Sequence, residues 1–536
     1  MSTISLRKAL GVLAKSSPFS VKTTSERPRD VYDELKEYLY VKPEIELDFE
    51  RVLSSLQPGD CVFLCGSSGD GKSEILSRSY ERYKQQYRFH LDATHSFSPH
   101  QSAIEALDEL FGKRELDRQP LVVGINIGML ANYAKEGAEK HTELRAVIER
   151  FLSEGLRAEG AYRFLDFEAY PKFRFNDEGG YSAFMRQLLR RLTEPSDSNL
   201  FNFIAQSDEL RQLDAKLIAN FRLLGREEVQ EAIITTLFKT RLFKDQFITT
   251  RALLDLLHQL LTGEGYLFDN FFMGGSNELA QKIAEFDPAL LHTHAIDQFV
   301  LRYELALPDP MLDAFLQSLA EIGVYFSEPR EGKAASLLRL FYLFKNCSFG
   351  NDYHQQFKGD FDEQLLESYA RVWMQHGQYD GGSDAQNGLR QFYTKGLIPA
   401  IFTYANRHAS ELGKRELFLG AFGGIKVAAP LELKADYKRI QYEHAEKHDH
   451  FCAYLKVGEL ELSPMVIGLN LFELIGKLNC GYRPNRYDKN AIILLDEMVE
   501  QIRTLAKTSP RLSYYEGAHT YRLELDDEVI TVEGRT

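Results

Sequence analysis

The chain has 536 residues, of which 44% are apolar and 26% are charged, and its formal net charge is −14. This length suggests about three domains, and no apolar run reaches the ~18 residues that a membrane span needs, so we expect no membrane contact. The acidic balance argues against a protein whose main task is to grip the DNA backbone, because such proteins usually carry a strong basic excess.

The first region in chain order, residues 1–57, is predicted to be an N-terminal helical segment. Two helices are expected between residues 29 and 57, with a break near Lys42-Pro43. The second helix ends at Pro58-Gly59 and leads into a short apolar strand, CVFLCG.

The most specific motif follows this strand at residues 66–73, which read GSSGDGKS and match G-x-x-x-x-G-K-[ST]. This pattern is typical of a phosphate-binding P-loop, whose glycines let successive N–H groups point at an anion. Lys72 would reach the β- and γ-phosphates, and the Ser73 hydroxyl would bind Mg²⁺. A helix follows the loop, so its N-terminus adds the positive end of a dipole. We therefore predict that ATP and Mg²⁺ bind at Gly66, Ser67, Ser68, Gly69, Asp70, Gly71, Lys72, Ser73 and Glu74.

Strands and helices alternate after the loop, which favours a parallel sheet covered by helices on both faces. The segments are a strand at 87–92, a helix at 98–111, a strand at 120–130, a helix at 138–153 and a strand at 162–170. The predicted fold class is an α/β P-loop NTPase with an AAA-like parallel sheet, and its core covers residues 58–177.

Three further regions complete the predicted organisation. Residues 178–270 are expected to form a helical lid, which includes an amphipathic helix at 248–265 that glycine ends. Residues 271–427 are expected to be mainly helical, and residues 428–536 to form a C-terminal α+β domain.

Hydrolysis also needs an acid at a strand end to hold Mg²⁺ and a group to orient the attacking water. Asp92 ends the strand FHLD and is the first candidate for the catalytic and metal-binding acid. It follows Lys72 closely enough to lie on the second strand, and it could instead cap a helix. The sequence leaves open two alternative pairs of acids, which are Asp108 with Glu109 and Asp166 with Glu168.

Asn126 ends LVVGIN, the place where an AAA-type ATPase carries a polar residue that orients water near the γ-phosphate. The predicted catalytic set is therefore Lys72, Asp92 and Asn126, although asparagine also suits a turn. Arg251 occupies the lid position from which an AAA protein reaches the γ-phosphate, but a solvated arginine is the simpler interpretation. No arginine finger can be identified, and the available candidates are Arg186, Arg190 and Arg191.

The cysteines and three further short segments do not identify a metal, nuclease or nucleic-acid site. The five cysteines lack metal-site spacing, which fits a reduced cytoplasm. Glu432-Leu-Lys434 fits only the second half of a restriction-nuclease metal motif, so we do not expect intrinsic nuclease activity. The segments YANRH (404–408) and GYRPNRY (481–487) could stack on nucleic acid, but packing in a core with paired arginines is the favoured interpretation.

Taken in order, these segments resemble the DptF family of DNA phosphorothioation-dependent restriction proteins. The resemblance is carried by GSSGDGKSE, HLDATHSFSP and VVGINIGMLANY, with further similarity at 286–297, 392–407 and 481–489. It implies a cytoplasmic P-loop ATPase of a bacterial antiviral defence system. Such a protein acts with companion subunits against DNA that lacks the host's phosphorothioate mark.

The resemblance carries over the loop positions Gly66 to Ser73 and no nuclease residue. The acidic balance and the missing nuclease motif favour DNA contact through the complex, and the sequence leaves open whether the chain also forms homo-oligomers. The alternative is a stand-alone regulatory AAA-type ATPase switch without a direct DNA role. A small-molecule kinase is disfavoured because such enzymes are usually compact.

Overall fold

A computed structural model describes residues 4–14, 30–91, 101–176, 179–244, 247–275, 277–326, 332–361, 364–413, 415–443, 449–517, 519–526 and 529–535. The chain divides into two compact units. The first comprises 1–173, 182–241 and 246–362, and the second comprises 174–181, 242–245 and 363–536. Among the described residues, no helix combines the length and apolar character that crossing a membrane requires.

Helices dominate the first unit. Those that begin there are α1 (Leu6–Ala9), α2 (Val31–Leu39), α3 (Glu44–Ser55), α4 (Lys72–Tyr83), α5 (Ala103–Leu116), α6 (Ile127–Glu136), α7 (Thr142–Glu154), α8 (Ala183–Thr193), α9 (Leu200–Leu210), α10 (Ala215–Leu224), α11 (Glu227–Lys244), α12 (Thr250–Thr262), α13 (Leu267–Phe272), α14 (Glu278–Ala284), α15 (His294–Glu304), α16 (Pro310–Leu319) and α17 (Ala334–Phe344). Short 3₁₀ helices lie at Leu10–Leu13, Glu139–His141, Phe167–Ala169, Pro288–Leu290, Ala320–Ile322 and Tyr353–Phe361. The predicted break between α2 and α3 is confirmed. The described part of 183–270 is mainly helical, whereas the predicted helical region from 178 begins with a strand at Gly179–Tyr181.

A five-stranded, mostly parallel sheet forms the centre of the first unit. Its strands are β1 (Cys61–Cys65), β2 (Arg88–His90), β3 (Leu121–Ile125), β4 (Ala158–Glu159) and β5 (Tyr162–Asp166), in the spatial order β2-β3-β1-β5-β4. Strands β2, β3, β1 and β5 run parallel, and the edge strand β4 is antiparallel to β5. The fold is therefore α/β, and β1 lies between β3 and β5.

Helices cover both faces of this sheet. Because side chains alternate across a strand, those of β1 pack into a cluster on each face. Cys61, Phe63 and Cys65 pack in one cluster with residues of α5, α6 and α7. Val62 and Leu64 pack in a second cluster with residues of α3 and α4. Helices thus hold β1 from both sides and fix the loop that follows it.

The second unit combines helices with small antiparallel sheets. Its strands are β6 (Arg174–Asn176), β7 (Gly179–Tyr181), β8 (Glu416–Phe422), β9 (Ile425–Pro430), β10 (Leu433–Ala435), β11 (Phe451–Ala453), β12 (Leu455–Val457), β13 (Leu460–Glu461), β14 (Met465–Ile467), β15 (Arg511–Glu516), β16 (His519–Asp526) and β17 (Val529–Arg535). Its helices are α18 (Gln364–Gly377), α19 (Ser383–Gln391), α20 (Ile398–Ala405), α21 (Tyr437–Glu443), α22 (Leu469–Asn479) and α23 (Lys489–Ala506), with a π-helical turn at Phe392–Leu397 and a 3₁₀ turn at Arg486–Asp488.

The largest sheet of this unit has the order β17-β16-β15-β9-β8. The predicted domain border at residue 428 falls inside β9, and strand structure already begins at Glu416. The reason is a hairpin whose turn residues Gly423 and Gly424 have φ of +57° and +87°, as a tight two-residue turn requires. A Gly-Gly pair between two apolar runs is the sequence signal that would have moved the border.

Candidate functional site

The glycine-rich loop joins the carboxyl end of β1 to the N-terminus of α4. Gly71 is the residue before α4 and has φ of +108°, a conformation that suits glycine. A Cβ added to Gly66 would lie 2.8 Å from Asp70 Oδ2 and 2.9 Å from the Phe167 ring, so a side chain has no room there. The loop is therefore shaped by both backbone conformation and close packing.

Lys72, the first residue of α4, lies against this loop. Its Nζ donates hydrogen bonds to the carbonyl oxygens of Gly66 at 2.9 Å and Ser67 at 2.6 Å. The ammonium group and the first N–H groups of α4 thus meet at one place, which is suited to an anion.

Asp70 is the loop residue that faces inward. Its side chain is 0% exposed, and its Oδ2 accepts the Ser67 N–H at 2.6 Å. Burial raises the pKa of Asp70, against the lowering effect of the Lys172 charge. Lys172 Nζ lies 4.0 Å from Asp70 Oδ1. Sequence analysis missed Lys172, because no motif surrounds it and the contact spans a hundred residues of chain.

The start of α12 contacts the loop from the predicted lid region. The Arg251 N–H donates to the Gly69 carbonyl at 3.1 Å, and the Thr250 hydroxyl donates to the Asp70 carbonyl at 3.0 Å. The Thr249 hydroxyl caps the helix by accepting the Ala252 N–H at 3.1 Å. The structure thus brings the backbone of Arg251 to the loop. It also places Thr249 and Thr250 there, two residues that the sequence had not indicated.

Two predicted polar residues lie at the carboxyl ends of the strands that flank β1. Ile125 and Asp166 are the register partners of Cys65, so Asn126 and Asp166 lie at the same edge of the sheet as the loop. Asp166 Oδ1 accepts the Glu168 N–H at 3.1 Å. Burial raises the pKa of Asp166, and the charges of Glu168 and Asp70 raise it further. Asp166 is therefore an acid whose protonation responds to charge at the loop.

The other predicted acids have different surroundings. Asp108 lies within α5, where its Oδ1 accepts the Tyr133 hydroxyl at 2.8 Å and the Ala138 N–H at 3.0 Å, so it connects α5 to the region of α6. Its neighbour Glu109 pairs with Lys113 at the surface. Asp92 lies outside the described residues, and β2, which precedes it, is separated from β1 by β3.

Four other predicted residues are held by contacts within the chain. Glu74 is bound by Arg78 at 2.8 Å, so its carboxylate is engaged on the surface of α4. The three candidate arginine fingers are also engaged: Arg186 pairs with Glu231, Arg190 pairs with Glu194, and Arg191 donates to the Tyr38 carbonyl.

The two segments rich in tyrosine and arginine differ. Tyr404 and Ala405 are buried, so core packing is confirmed for these two residues of 404–408. Arg407 and His408 are exposed, and the Arg407 guanidinium lies 4.2 Å from the centre of the Tyr404 ring. The same prediction is wrong for 481–487, because Tyr487 is 81% exposed. That turn is ordered by its own side chains, since Asn485 and Asp488 form a capping box before α23.

Comparison with known proteins adds no relative. No protein-family profile matches the chain, and no curated protein or solved structure shows a significant match.

Proposed function

We propose that the chain is an AAA-like P-loop NTPase that binds ATP with Mg²⁺ at residues 66–73 and hydrolyses it. The observation that supports this most is the arrangement around β1. The strand leads into a loop with left-handed glycines, and Lys72 lies over that loop. Asn126 follows β3, and Asp166 is the last residue of β5. These are the parts that phosphoryl transfer from a nucleotide requires.

Each of these residues would have a separate role in binding the phosphates, Mg²⁺ or the attacking water. Loop N–H groups and the N-terminus of α4 would hold the phosphates, and Lys72 would exchange its two carbonyl partners for phosphate oxygens. Ser73 and Asp166 would hold Mg²⁺, which neutralises charge on the phosphates and needs only one or two carboxylates besides water. Asn126 would orient the attacking water. Asp92 remains a second proposal for the acid.

We further propose that the ATPase works as a subunit of a phosphorothioation-dependent DNA restriction complex. The resemblance of segments along the chain supports this role, and the net charge of −14 favours DNA contact through companion subunits. ATP turnover would power or gate attack on unmodified foreign DNA.

The test is the ATPase rate of the wild type and of Lys72→Ala, with and without unmodified or phosphorothioated DNA and companion subunits. We expect stimulation by unmodified DNA with partners, and a loss of about 100-fold or more in Lys72→Ala. Lys84→Ala is the matched control, because Lys84 lies just after the same helix and pairs with Glu81 on the surface.

The other outcomes separate the alternatives. A rate that ignores DNA and partners but still needs Lys72 would support the regulatory ATPase switch. If no turnover occurs under any condition although ATP binds, the loop holds nucleotide without hydrolysing it, and the ATPase proposal is wrong.

A further inference from the structure

Asp70 and Lys172 form a buried pair of opposite charges directly behind the candidate phosphate loop. Asp70 Oδ1 is buried and finds no hydrogen-bond partner among the residues that the structure describes. Lys172 Nζ lies 4.0 Å away, in a side chain that is 10% exposed. A buried carboxylate without a compensating charge is strongly destabilising. The ammonium group of Lys172 is therefore what makes an ionised Asp70 tolerable at this place.

Asp70 in turn determines the shape of the loop. Its second oxygen, Oδ2, accepts the Ser67 N–H at 2.6 Å, which closes the turn from Ser67 to Asp70. The same oxygen lies where a side chain on residue 66 would be, so it also fills the space under Gly66. A displaced Asp70 would leave both the Ser67 N–H and the underside of the loop without support.

Lys172 is held in place by elements other than the loop. Its carbonyl accepts the Ser182 hydroxyl at 2.5 Å. Its Nζ lies 5.9 Å from the centre of the Phe167 ring and 5.6 Å from that of Phe247. The lysine backbone is thus bound at the start of α8, and its ammonium group lies near two aromatic rings as well as near Asp70.

On this basis, and provided that the proposed function holds, we propose that Lys172 is a positioning residue for nucleotide binding. It holds the Asp70 carboxylate, which fixes the loop in the form that receives phosphate. Lys172 acts through Asp70 and does not need to touch the nucleotide.

The charges around the pair give this role a pH signature. Burial lowers the pKa of Lys172 to about 8, while Asp70 favours and Arg241 opposes its charged form. On the side of Asp70, the other interacting charged groups include Lys72, Glu168 and Asp166. An anion bound at the loop favours protonated Lys172, so nucleotide affinity should weaken as the pH rises through about 8.

The test compares the ATP affinities of the wild type, Lys172→Met and a double variant, measured at pH 7 with a fluorescent ATP analogue. Lys172→Met should weaken binding about tenfold, within the range of coupling between residues in contact. The double variant Asp70→Asn with Lys172→Met should recover most of this loss, because it leaves no unpaired buried charge. Lys216→Met is the matched control, since Lys216 Nζ also lies near an aromatic ring, 5.7 Å from the centre of Tyr266.

The outcomes distinguish this inference from the proposed function. If wild type binds ATP and Lys172→Met binds equally well, or if the double variant is as weak as Lys172→Met, the positioning role is wrong and the proposed function stands. If the wild type binds no ATP, both are wrong. Should Lys172→Met fail to fold, the charge-neutral double variant still decides, because it should bind ATP and should lack the affinity change near pH 8.

Discussion

The parallel sheet of the first unit and the largest sheet of the second unit have five strands each, but they bury their side chains differently. All five residues of β1 are buried, since helices cover both faces. In the second sheet, the strand pairing places many apolar side chains on the same face. Several of these side chains, such as Phe422, Ile530 and Val532, are exposed. Parallel sheets generally need two covered faces, whereas antiparallel sheets tolerate one open face.

The open face is continuous across the strands. Its apolar residues are Phe422, Ile425, Val427, Leu512, Tyr514, Tyr521, Leu523, Leu525, Ile530 and Val532. Within the described part of the chain, none of these side chains is fully buried. A sheet whose two faces are both covered by helices can fix a loop at its edge. The second sheet, in contrast, is packed mainly through the face opposite this open one.

The largest expected difference is in the stability lost when Phe63 or Phe422 is replaced by alanine. Phe63 in β1 is 0% exposed and stacks on Phe164 with ring centres 4.9 Å apart, so Phe63→Ala should lower the free energy of unfolding by about 3–5 kcal/mol. Phe422 in β8 is 77% exposed, so Phe422→Ala should change it by no more than about 0.5 kcal/mol. Denaturant unfolding of both variants measures the difference. Equal losses would mean that the open face is covered in solution.

The second prediction compares two partly buried carboxylates. Asp166→Asn should lower the ATPase rate by about 100-fold, because it removes the proposed Mg²⁺ ligand at the end of β5. Glu416 in β8 accepts hydrogen bonds from the Ser513 and Tyr515 hydroxyls. Glu416→Gln should therefore keep the ATPase rate but lower the free energy of unfolding by about 1–2 kcal/mol. Steady-state ATPase assays and thermal unfolding report the two quantities separately.

The pH dependence of stability should have opposite signs in these variants. Burial raises the pKa of Asp166, so its ionised form opposes folding, and Asp166→Asn should be at least as stable as wild type at pH 7. That advantage should disappear as the pH falls through the pKa of Asp166. Burial also acts to raise the pKa of Glu416, but hydrogen bonds from Ser513, Tyr515 and the Gly413 N–H, together with the Arg522 charge, lower the pKa from 4.5. The deficit of Glu416→Gln should therefore be full at pH 7 and shrink below about pH 4.5.

Asp108→Asn is the matched control for the proposal that Asp166 is the acid that binds Mg²⁺. Asp108→Asn should lower stability, because Asp108 accepts two hydrogen bonds within its own helical layer, and should leave the ATPase rate near wild type. An Asp166→Asn variant with full activity would remove Asp166 from the site and return Asp92 as the candidate acid.

Local patterns predicted much of the first unit. The eight-residue motif and its flanking apolar run predicted the strand, loop and helix at 61–83, because those signals lie within one short segment. The choice between Asp108 and Asp166 could not be made, since it depends on strand order and on which helix covers which face. Lys172 was missed for a similar reason, as a long-range ion pair leaves no local pattern. The exposed turn at 481–487 was misjudged because composition alone does not reveal whether a tyrosine is covered.

The smallest expected effect compares two glycines of similar conformation in the two units. Gly71 has φ of +108° and Gly424 has φ of +87°, and an added Cβ would meet nothing within 4 Å at either position. Alanine should therefore introduce only backbone strain, about 1–2 kcal/mol in each case.

The two strains should differ in what they disturb. At Gly71 the strain falls on the turn that aims the first N–H groups of α4, so Gly71→Ala should weaken ATP binding about tenfold. At Gly424 it falls on a hairpin tip of the second unit, so Gly424→Ala should leave ATP binding unchanged. Titration of both variants with ATP, beside thermal unfolding, checks this. Equal weakening by both variants would show that ATP affinity follows overall stability. Gly71 would then not act on ATP binding through the geometry of the loop.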